Sequence, residues 1–248
     1  MQRFFLSPGS FKDDQVIFPH DIAHQIRRVL RLTAGDRVVV LDGSNNEMLI
    51  ELSGVTDRGV TGDIISRKKN TAEADVKVSM LIALTQREKF ELILQKCTEI
   101  GAAAIIPMIT SRSLVQDINK VSGKVERWKN IIREAGEQSG RGIIPELSSP
   151  LKYDNAIKKT AKENSLLLIP WENEGGLTLK EVLSDPKNRE QKTIAILIGP
   201  EGGFSAEEVQ EAQTTGFISL SLGPRILRME TAAMVTLALV LYDIGQMM

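Results

Sequence analysis

The segment Gly199-Pro200-Glu201-Gly202-Gly203-Phe204-Ser205 places three glycines and one carboxylate between an apolar, β-branched run and a Glu-rich stretch. Glycines let backbone amides approach a bound molecule closely, and they equally permit a tight turn. The loop lacks the Lys-Ser/Thr end of a phosphate-binding P-loop and the spacing of Gly-x-Gly-x-x-Gly. It holds no lysine to meet a triphosphate, so a ligand here would be adenosine-like and held by backbone groups. Two readings stand at this point, a ligand loop and a plain strand-to-helix turn. Two later segments could share the same end of a sheet, Leu220-Ser221-Leu222-Gly223-Pro224-Arg225 and Ile226-Leu227-Arg228-Met229-Glu230-Thr231-Ala232. Arg225 and Arg228 suit an anionic or carbonyl-rich substrate, or else they pair with Glu230 or Glu201. A fourth candidate, Glu134-Ala135-Gly136-Glu137-Gln138-Ser139-Gly140-Arg141, carries polar groups and two glycines at the end of a long helix.

The elements that must position these residues follow from hydrophobic period. Thr193 to Ile198 is a short β-branched run and reads as a buried strand. Ser205 is a good N-cap, and Glu207 and Glu208 fall in the first helical turn, where the helix dipole favours negative charge. A loop leaving the carboxyl end of a sheet strand is where α/β proteins place ligands. Strands are expected at Val76–Leu84, Ala104–Ile109, Ser165–Ile169, Thr193–Ile198 and Phe217–Leu222. Between them lie helices marked by Phe90, Ile93, Leu94 and Cys97, by Leu177–Leu183 and by Ser205–Thr215. A long helix carries Val121, Val125, Trp128, Ile132 and Ala135 on its core side, with Lys120, Lys124, Arg127 and Arg133 largely outside it. This alternation predicts an α/β fold with a parallel sheet covered by helices. Knots are very rare, so the residue pattern alone argues for an ordinary doubly wound sheet. The final helix, running to about Ile244, is apolar all round from Ala232 to Leu241 and must be covered by its own domain or by another subunit. At the end of the chain a dimer interface is the expectation.

The first seventy residues have a different grain. Arg3-Phe4-Phe5-Leu6 and Arg37–Leu41 read as strands, and Asp42-Gly43-Ser44-Asn45-Asn46 is a turn cluster. Met48, Ile50 and Leu52 alternate with Glu47, Leu49 and Glu51, and short pieces near Gly54 and Gly62 complete a compact barrel-like sheet. One helix, about Asp21 to Leu32, has Ile22, Ile26, Val29 and Leu30 as its buried stripe. His24, Arg27, Arg28 and Arg31 share another face with no interleaved acid, which suits either solvent or RNA phosphates. Residues 67–75, Arg67-Lys68-Lys69-Asn70-Thr71-Ala72-Glu73-Ala74-Asp75, are polar and read as a linker.

Composition sets outer bounds. The 248 residues allow one large domain or two small ones, and 42% apolar with 25% charged residues is ordinary for a globular protein. Net charge is −1, with 31 basic against 32 acidic residues, so overall charge does not mark a nucleic-acid binder. From Met1 to Arg37 there is a modest local surplus, six Lys/Arg against four Asp. A lone cysteine, Cys97, excludes an internal disulfide framework and suits a reducing cytoplasm. Two histidines with one cysteine make a zinc site unexpected. The amino terminus, with Arg3 early and no long apolar core, does not read as a signal peptide, and Ala232–Leu241 is too short to span a bilayer.

Together, Ile198–Ser205 and Leu222–Ala232 resemble the RsmE family of 16S ribosomal RNA uridine N3-methyltransferases. Further matches are Gln95-Lys96-Cys97-Thr98-Glu99-Ile100-Gly101, Pro107 with Ser111-Arg112-Ser113, Glu137–Arg141, Arg3-Phe4-Phe5, Val29-Leu30-Arg31 and Gly35-Asp36. The chain departs from the family at Thr85-Gln86-Arg87-Glu88, where a Lys-Gly-Asp-like turn is usual. The resemblance implies a PUA-like RNA-binding β-barrel over 1–70 and a trefoil-knotted SPOUT methyltransferase domain over 75–248. It also implies a cytoplasmic homodimer that needs neither metal nor membrane. The implied reaction is transfer of a methyl group from S-adenosylmethionine to uracil N3 in the decoding region of 16S rRNA, within the small ribosomal subunit. The alternative is a SPOUT enzyme acting on another RNA site, in tRNA or at a ribose 2′-OH. A non-catalytic RNA binder ranks below both because the glycine loop is intact.

On that reading the cofactor lies against Leu197, Ile198, Gly199, Pro200, Glu201 and Gly202, and against Leu220, Leu222, Gly223, Ile226, Leu227, Thr231 and Ala232. Uracil N3 carries a proton and attacks poorly until it is lost, so a base or an anion-stabilising cation is needed. Glu201 is the expected base, and Arg228 and Arg225 the expected cations. Arg3, His24, Arg27, Arg28, Arg31, Arg112 and Arg141 are the expected RNA contacts.

Overall fold

The computed structural model describes residues 1–118, 121 and 123–247. Lys120, expected on the outer face of the long helix, lies outside the described residues. The chain divides into two compact units, Met1–Glu73 with Arg133–Ile144, and Ala74–Ile132 with Pro145–Met248.

The first unit is built on a six-stranded sheet of order β1-β4-β5-β6-β3-β2. Its strands are β1 (Arg3–Phe5), β2 (Phe11–Lys12), β3 (Gln15–Ile17), β4 (Arg37–Leu41), β5 (Asn46–Thr56) and β6 (Gly59–Lys69). Strands β1 and β4 run parallel and the other neighbours antiparallel. The expected alternation holds in β5, where Met48, Ile50 and Leu52 enter a core with Phe4, Val38, Val40 and Ile26. On the opposite face Phe5, Val39 and Leu41 form a smaller cluster. There Glu137 accepts a hydrogen bond from Phe5 N at 2.8 Å and Arg133 donates to Phe5 O at 2.5 Å. These bonds explain why Arg133–Ile144 belongs to this unit and not, as expected, to the second.

Two local expectations are corrected here. The helix is α1 (His20–His24) followed by a π-helical turn, Gln25–Val29, closed by Leu30 N to Gln25 O at 2.9 Å. A wider turn rotates later residues off the 3.6-residue stripe, so Val29 is 67% exposed instead of buried. The basic face also has an acidic partner: Asp57, from the β5–β6 turn, pairs with Arg27 and lies 3.9 Å from Arg28. The expected linker is in part strand, since Arg67–Lys69 end β6 opposite Asn46–Met48. Asn70 after it is buried, its amide donating to Glu47 at 3.0 Å and to Gly140 O at 2.9 Å.

The second unit holds a seven-stranded sheet in which every pairing is parallel. Its strands are β7 (Lys77–Ala83), β8 (Ala104–Ile109), β9 (Glu146–Leu147), β10 (Leu151–Lys152), β11 (Leu166–Pro170), β12 (Thr193–Ile198) and β13 (Ile218–Leu220). Their order is β10-β8-β7-β12-β11-β13, with β9 also beside β8. Helices α2 (Arg87–Ile100), α3 (Val125–Ser139, whose residues from Arg133 on belong to the first unit), α4 (Tyr153–Glu163), α5 (Leu179–Ser184), α6 (Pro186–Arg189), α7 (Ala206–Thr214) and α8 (Met229–Asp243) connect them. Helix α4 lies outside the expected elements, although Tyr153, Ala156, Ile157 and Thr160 carry a helical stripe and are buried. Strand β12 is inserted between β7 and β11, and α8 returns against α2, β12 and β7. The inner face of α8, including Ala233, Leu237 and Val240, is covered, while Leu239 and Tyr242 stay exposed.

Candidate functional site

Because every pairing in the second sheet is parallel, the loops leaving β7, β12, β11 and β13 emerge along one edge. The loop after β12 turns through Gly203 N to Pro200 O at 2.9 Å, with Gly203 at φ +68°, a conformation that favours glycine. Ser205 then caps α7 in a capping box with Glu208. The other oxygen of Glu208 accepts from Ser111 N at 2.7 Å, which fixes the neighbouring corner. From that corner Arg112 reaches back and donates to Gly202 O at 2.8 Å. The glycine loop is therefore held at both ends before any ligand binds.

The loop after β11 is tied to the strand end at β13. Trp171 N bonds Leu220 O at 3.0 Å, Ser221 N bonds Leu177 O at 2.7 Å, and Leu179 N bonds Ser221 O at 3.2 Å. Between these loops lie two adjoining cavities of about 370 and 410 Å³, each within the size range of small-molecule sites. They share Pro170, Glu172, Ile226, Leu227 and Ala232. The first is bounded by the glycine loop together with Lys89, Arg228 and Glu230, and the second by Trp171, Glu172, 174–178 and 221–225.

Glu201 sits where the glycine loop meets the loop after β7. Its carboxylate accepts hydrogen bonds from the Thr85 hydroxyl and from Lys89 Nζ, the latter at 3.0 Å. Partial burial works against its ionisation, but the Thr85 and Lys89 contacts outweigh it and hold the carboxyl below the usual range. A carboxylate so held is a weak proton acceptor. Its evident work is to pin the loop to Thr85 and Lys89, which gives the divergent Thr85–Glu88 turn a place in the site. The side chains of Arg225 and Arg228 are exposed and form no hydrogen bond or ion pair among the described residues, so the expected pairing with Glu230 or Glu201 is absent there.

The expected cofactor residues fall into two groups. Ile198, Gly199, Pro200, Glu201, Leu222, Gly223, Ile226, Leu227 and Ala232 line the cavities. Leu197 and Leu220 do not; both are 0% exposed, because neighbouring side chains of a sheet buried on two faces point into the core. Gly202 and Thr231 also stand outside the linings, Gly202 with its carbonyl held by Arg112. The segment Glu134–Arg141, the fourth candidate, lies within the first unit. Residues missed from sequence are Lys89, Pro170, Trp171, Glu172 and Phe204. The signal that could have found most of them is the rule already applied to β12, since Pro170–Glu172 and Thr85–Lys89 also follow strand ends.

Among the expected RNA contacts, His24, Arg28, Arg31 and Arg112 are exposed and Arg3 is half-buried. Arg141 is a correction. It is 5% exposed and forms a two-point ion pair with Glu73, at 2.6 and 3.2 Å, and the same carboxylate accepts from Gly142 N and Ile143 N. A buried guanidinium needs such a partner, and this one is used inside the first unit. Among the described residues no helix is long and apolar enough to cross a membrane, and no cluster of His, Cys, Asp or Glu could hold a metal ion.

Comparison with known proteins agrees with this layout. Residues 72–241 match the RNA methyltransferase domain family, and residues 19–65 match the RNA methyltransferase PUA domain family. The chain is 33% identical to the ribosomal RNA small subunit methyltransferase E of Synechocystis, over 95% of this chain and 76% of that one. It is 31% identical to the protein of the same name from Bacillus subtilis, over 98% and 97%. A crystal structure of ribosomal RNA small subunit methyltransferase E from Neisseria gonorrhoeae, bound to S-adenosylmethionine, superposes with a TM-score of 0.87 at 27% identity, covering 98% of this chain and 97% of that one.

Proposed function

The chain belongs to the RNA methyltransferase family, and from that premise we propose that it methylates N3 of a uracil in 16S ribosomal RNA, with S-adenosylmethionine as methyl donor. The observation that carries this reading is the pair of joined cavities at the carboxyl edge of the parallel sheet, walled by the glycine loop and by 221–227. The residues present fit the cofactor: backbone-rich walls and a glycine loop without lysine suit an adenosine that bears no phosphate. When bound, S-adenosylmethionine supplies an electrophilic methyl group on a positive sulfonium.

The chain's own task is alignment and exclusion of water. Phe204, 3% exposed, backs the glycine loop, and Arg112 and Glu201 fix its two sides. Arg228 and Arg225, without a side-chain partner among the described residues, are placed to meet the carbonyl oxygens of uracil or an adjacent phosphate, where negative charge develops as N3 loses its proton. His24, Arg28 and Arg31 of the first unit are the surface offered to RNA phosphates.

The finer architecture belongs to the same proposal. Insertion of β12 between β7 and β11, followed by the return of α8 onto α2, β12 and β7, supports the trefoil-knotted SPOUT class. Exposed Leu239 and Tyr242 on α8 support a homodimer, and the intended substrate is rRNA in the small subunit of a cytoplasmic ribosome. Calorimetric titration tests the pocket: saturable binding of S-adenosylmethionine is expected, and strong ATP binding with none for S-adenosylmethionine refutes it. Arg228→Ala should retain the fold and lose about 100-fold or more in turnover; unchanged turnover removes Arg228 from the mechanism.

A further inference from the structure

One carboxylate in the first cavity differs from its neighbours. Glu230, in the first turn of α8, makes no side-chain hydrogen bond or ion pair among the described residues, and its Oε2 is shielded from solvent without a donor. Such an orphaned acceptor is uncommon in folded proteins and calls for an explanation. The other carboxylates of that cavity are accounted for: Glu201 is bonded to Thr85 and Lys89, and Glu172 is exposed to solvent. Glu230 is also fixed on a helix, two residues after Arg228, the N-cap of the same helix.

We infer that Glu230, not Glu201, is the catalytic residue that accepts the N3 proton of the substrate uracil, an inference that rests on the methyl-transfer reading above. The imide edge of uracil presents carbonyl, N–H and carbonyl in a row. Its complement is an acceptor beside a donor, which Glu230 supplies with Arg228, unpaired among the described residues and two residues before it, both lining the first cavity. In the reaction the N3–H bond breaks and its proton passes to the Glu230 carboxylate. The N3 electron pair forms the bond to the methyl carbon as the carbon–sulfur bond breaks, its pair remaining on a neutral thioether sulfur. Glu230 then releases the proton to water. Arg228 steadies the carbonyl oxygens while the charge is on the ring.

Glu230→Gln keeps the shape of the side chain and removes its basicity. Single-turnover methyl transfer to small-subunit RNA, at saturating S-adenosylmethionine, is expected to fall about 100-fold or more at pH 7. The rate of the variant should then climb about tenfold per pH unit as the uracil ionises unaided, a slope the wild type lacks. Calorimetric affinity for S-adenosylmethionine and the thermal midpoint should stay near wild type, which shows that the variant is folded and loaded. A variant rate within threefold of wild type overturns the inference. So does a variant whose only defect is cofactor affinity, because Glu230 would then be holding the cofactor's ammonium. Mass spectrometry of the wild-type product separates the two levels: a methyl group elsewhere than uracil N3 refutes the function, whereas 3-methyluridine made equally well by both proteins refutes only the role of Glu230.

Discussion

Replacing Gly199 by alanine probes how tightly the glycine loop is built. A Cβ at Gly199 would lie 3.0 Å from Cε2, 3.1 Å from Cδ2 and 3.3 Å from Cζ of Phe204. The ring has little room to retreat, being 3% exposed and packed against Tyr153 at 6.0 Å between centroids. Overpacking of this kind costs about 1–3 kcal/mol, which for a chain of this size lowers the thermal midpoint by about 5 °C. The relief available is outward movement of the loop, into the first cavity, so affinity for S-adenosylmethionine should weaken by about tenfold, the equivalent of about 1.4 kcal/mol. Gly202→Ala is the matched control: its Cβ would make ordinary contacts of 3.5 and 3.6 Å with Arg112, and stability should move by no more than about 0.5 kcal/mol. Gly203→Ala should fall between them. Its φ of +68° costs alanine about 1 kcal/mol, while the obstructing Glu172 carboxylate is a free end that can swing aside. Thermal melts and calorimetric titrations of the three variants give the ranking. A Gly199→Ala protein as stable and as tightly bound to S-adenosylmethionine as wild type, or a Gly202→Ala protein worse than it, refutes the reasoning.

Other consequences are more local. Arg112→Ala removes the donor on Gly202 O and should weaken S-adenosylmethionine binding several-fold with little change in melting, as calorimetry and a thermal melt would read. Glu91, bonded by Arg127 and also by Arg87, has its carboxyl drawn down from 4.5 to about 2. A depressed carboxylate stabilises the fold above its unfolded pKa, so Glu91→Gln should cost about 1 kcal/mol at pH 7, and urea titrations should show the difference shrinking as pH falls from 4.5 towards 2. Burial pushes the Cys97 thiol up to about 12, so an aromatic disulfide reagent should leave it untouched in the native protein and react only after unfolding.

How far the site was legible follows from the range of the interactions that make it. Strand β12, the loop after it and the Ser205 cap depend on neighbours within a dozen residues, and their pattern is plain in the chain. The meeting of 199–205 with 222–232 followed from the common direction of parallel strands. Strand order was not legible. Nothing near Thr193–Ile198 says that it inserts between β7 and β11, and that insertion is what brings Thr85, Lys89, Pro170 and Glu172 to the glycine loop. Arg141 misled for the same reason, since Glu73, which buries it, lies far away in sequence. Val29 misled differently: one π-helical turn is enough to carry a residue from the apolar stripe to the surface. The helix Tyr153–Glu163 carries a plain apolar stripe, so its existence is a local property of the chain.

The central claim is tested most directly by the RNA itself. Small-subunit rRNA from a strain lacking this protein, and from the same strain complemented with it, can be digested and scanned by mass spectrometry. The account predicts one 3-methyluridine absent from the first and restored in the second. An unchanged 3-methyluridine, or a loss confined to transfer RNA or to a ribose methyl group, would contradict it.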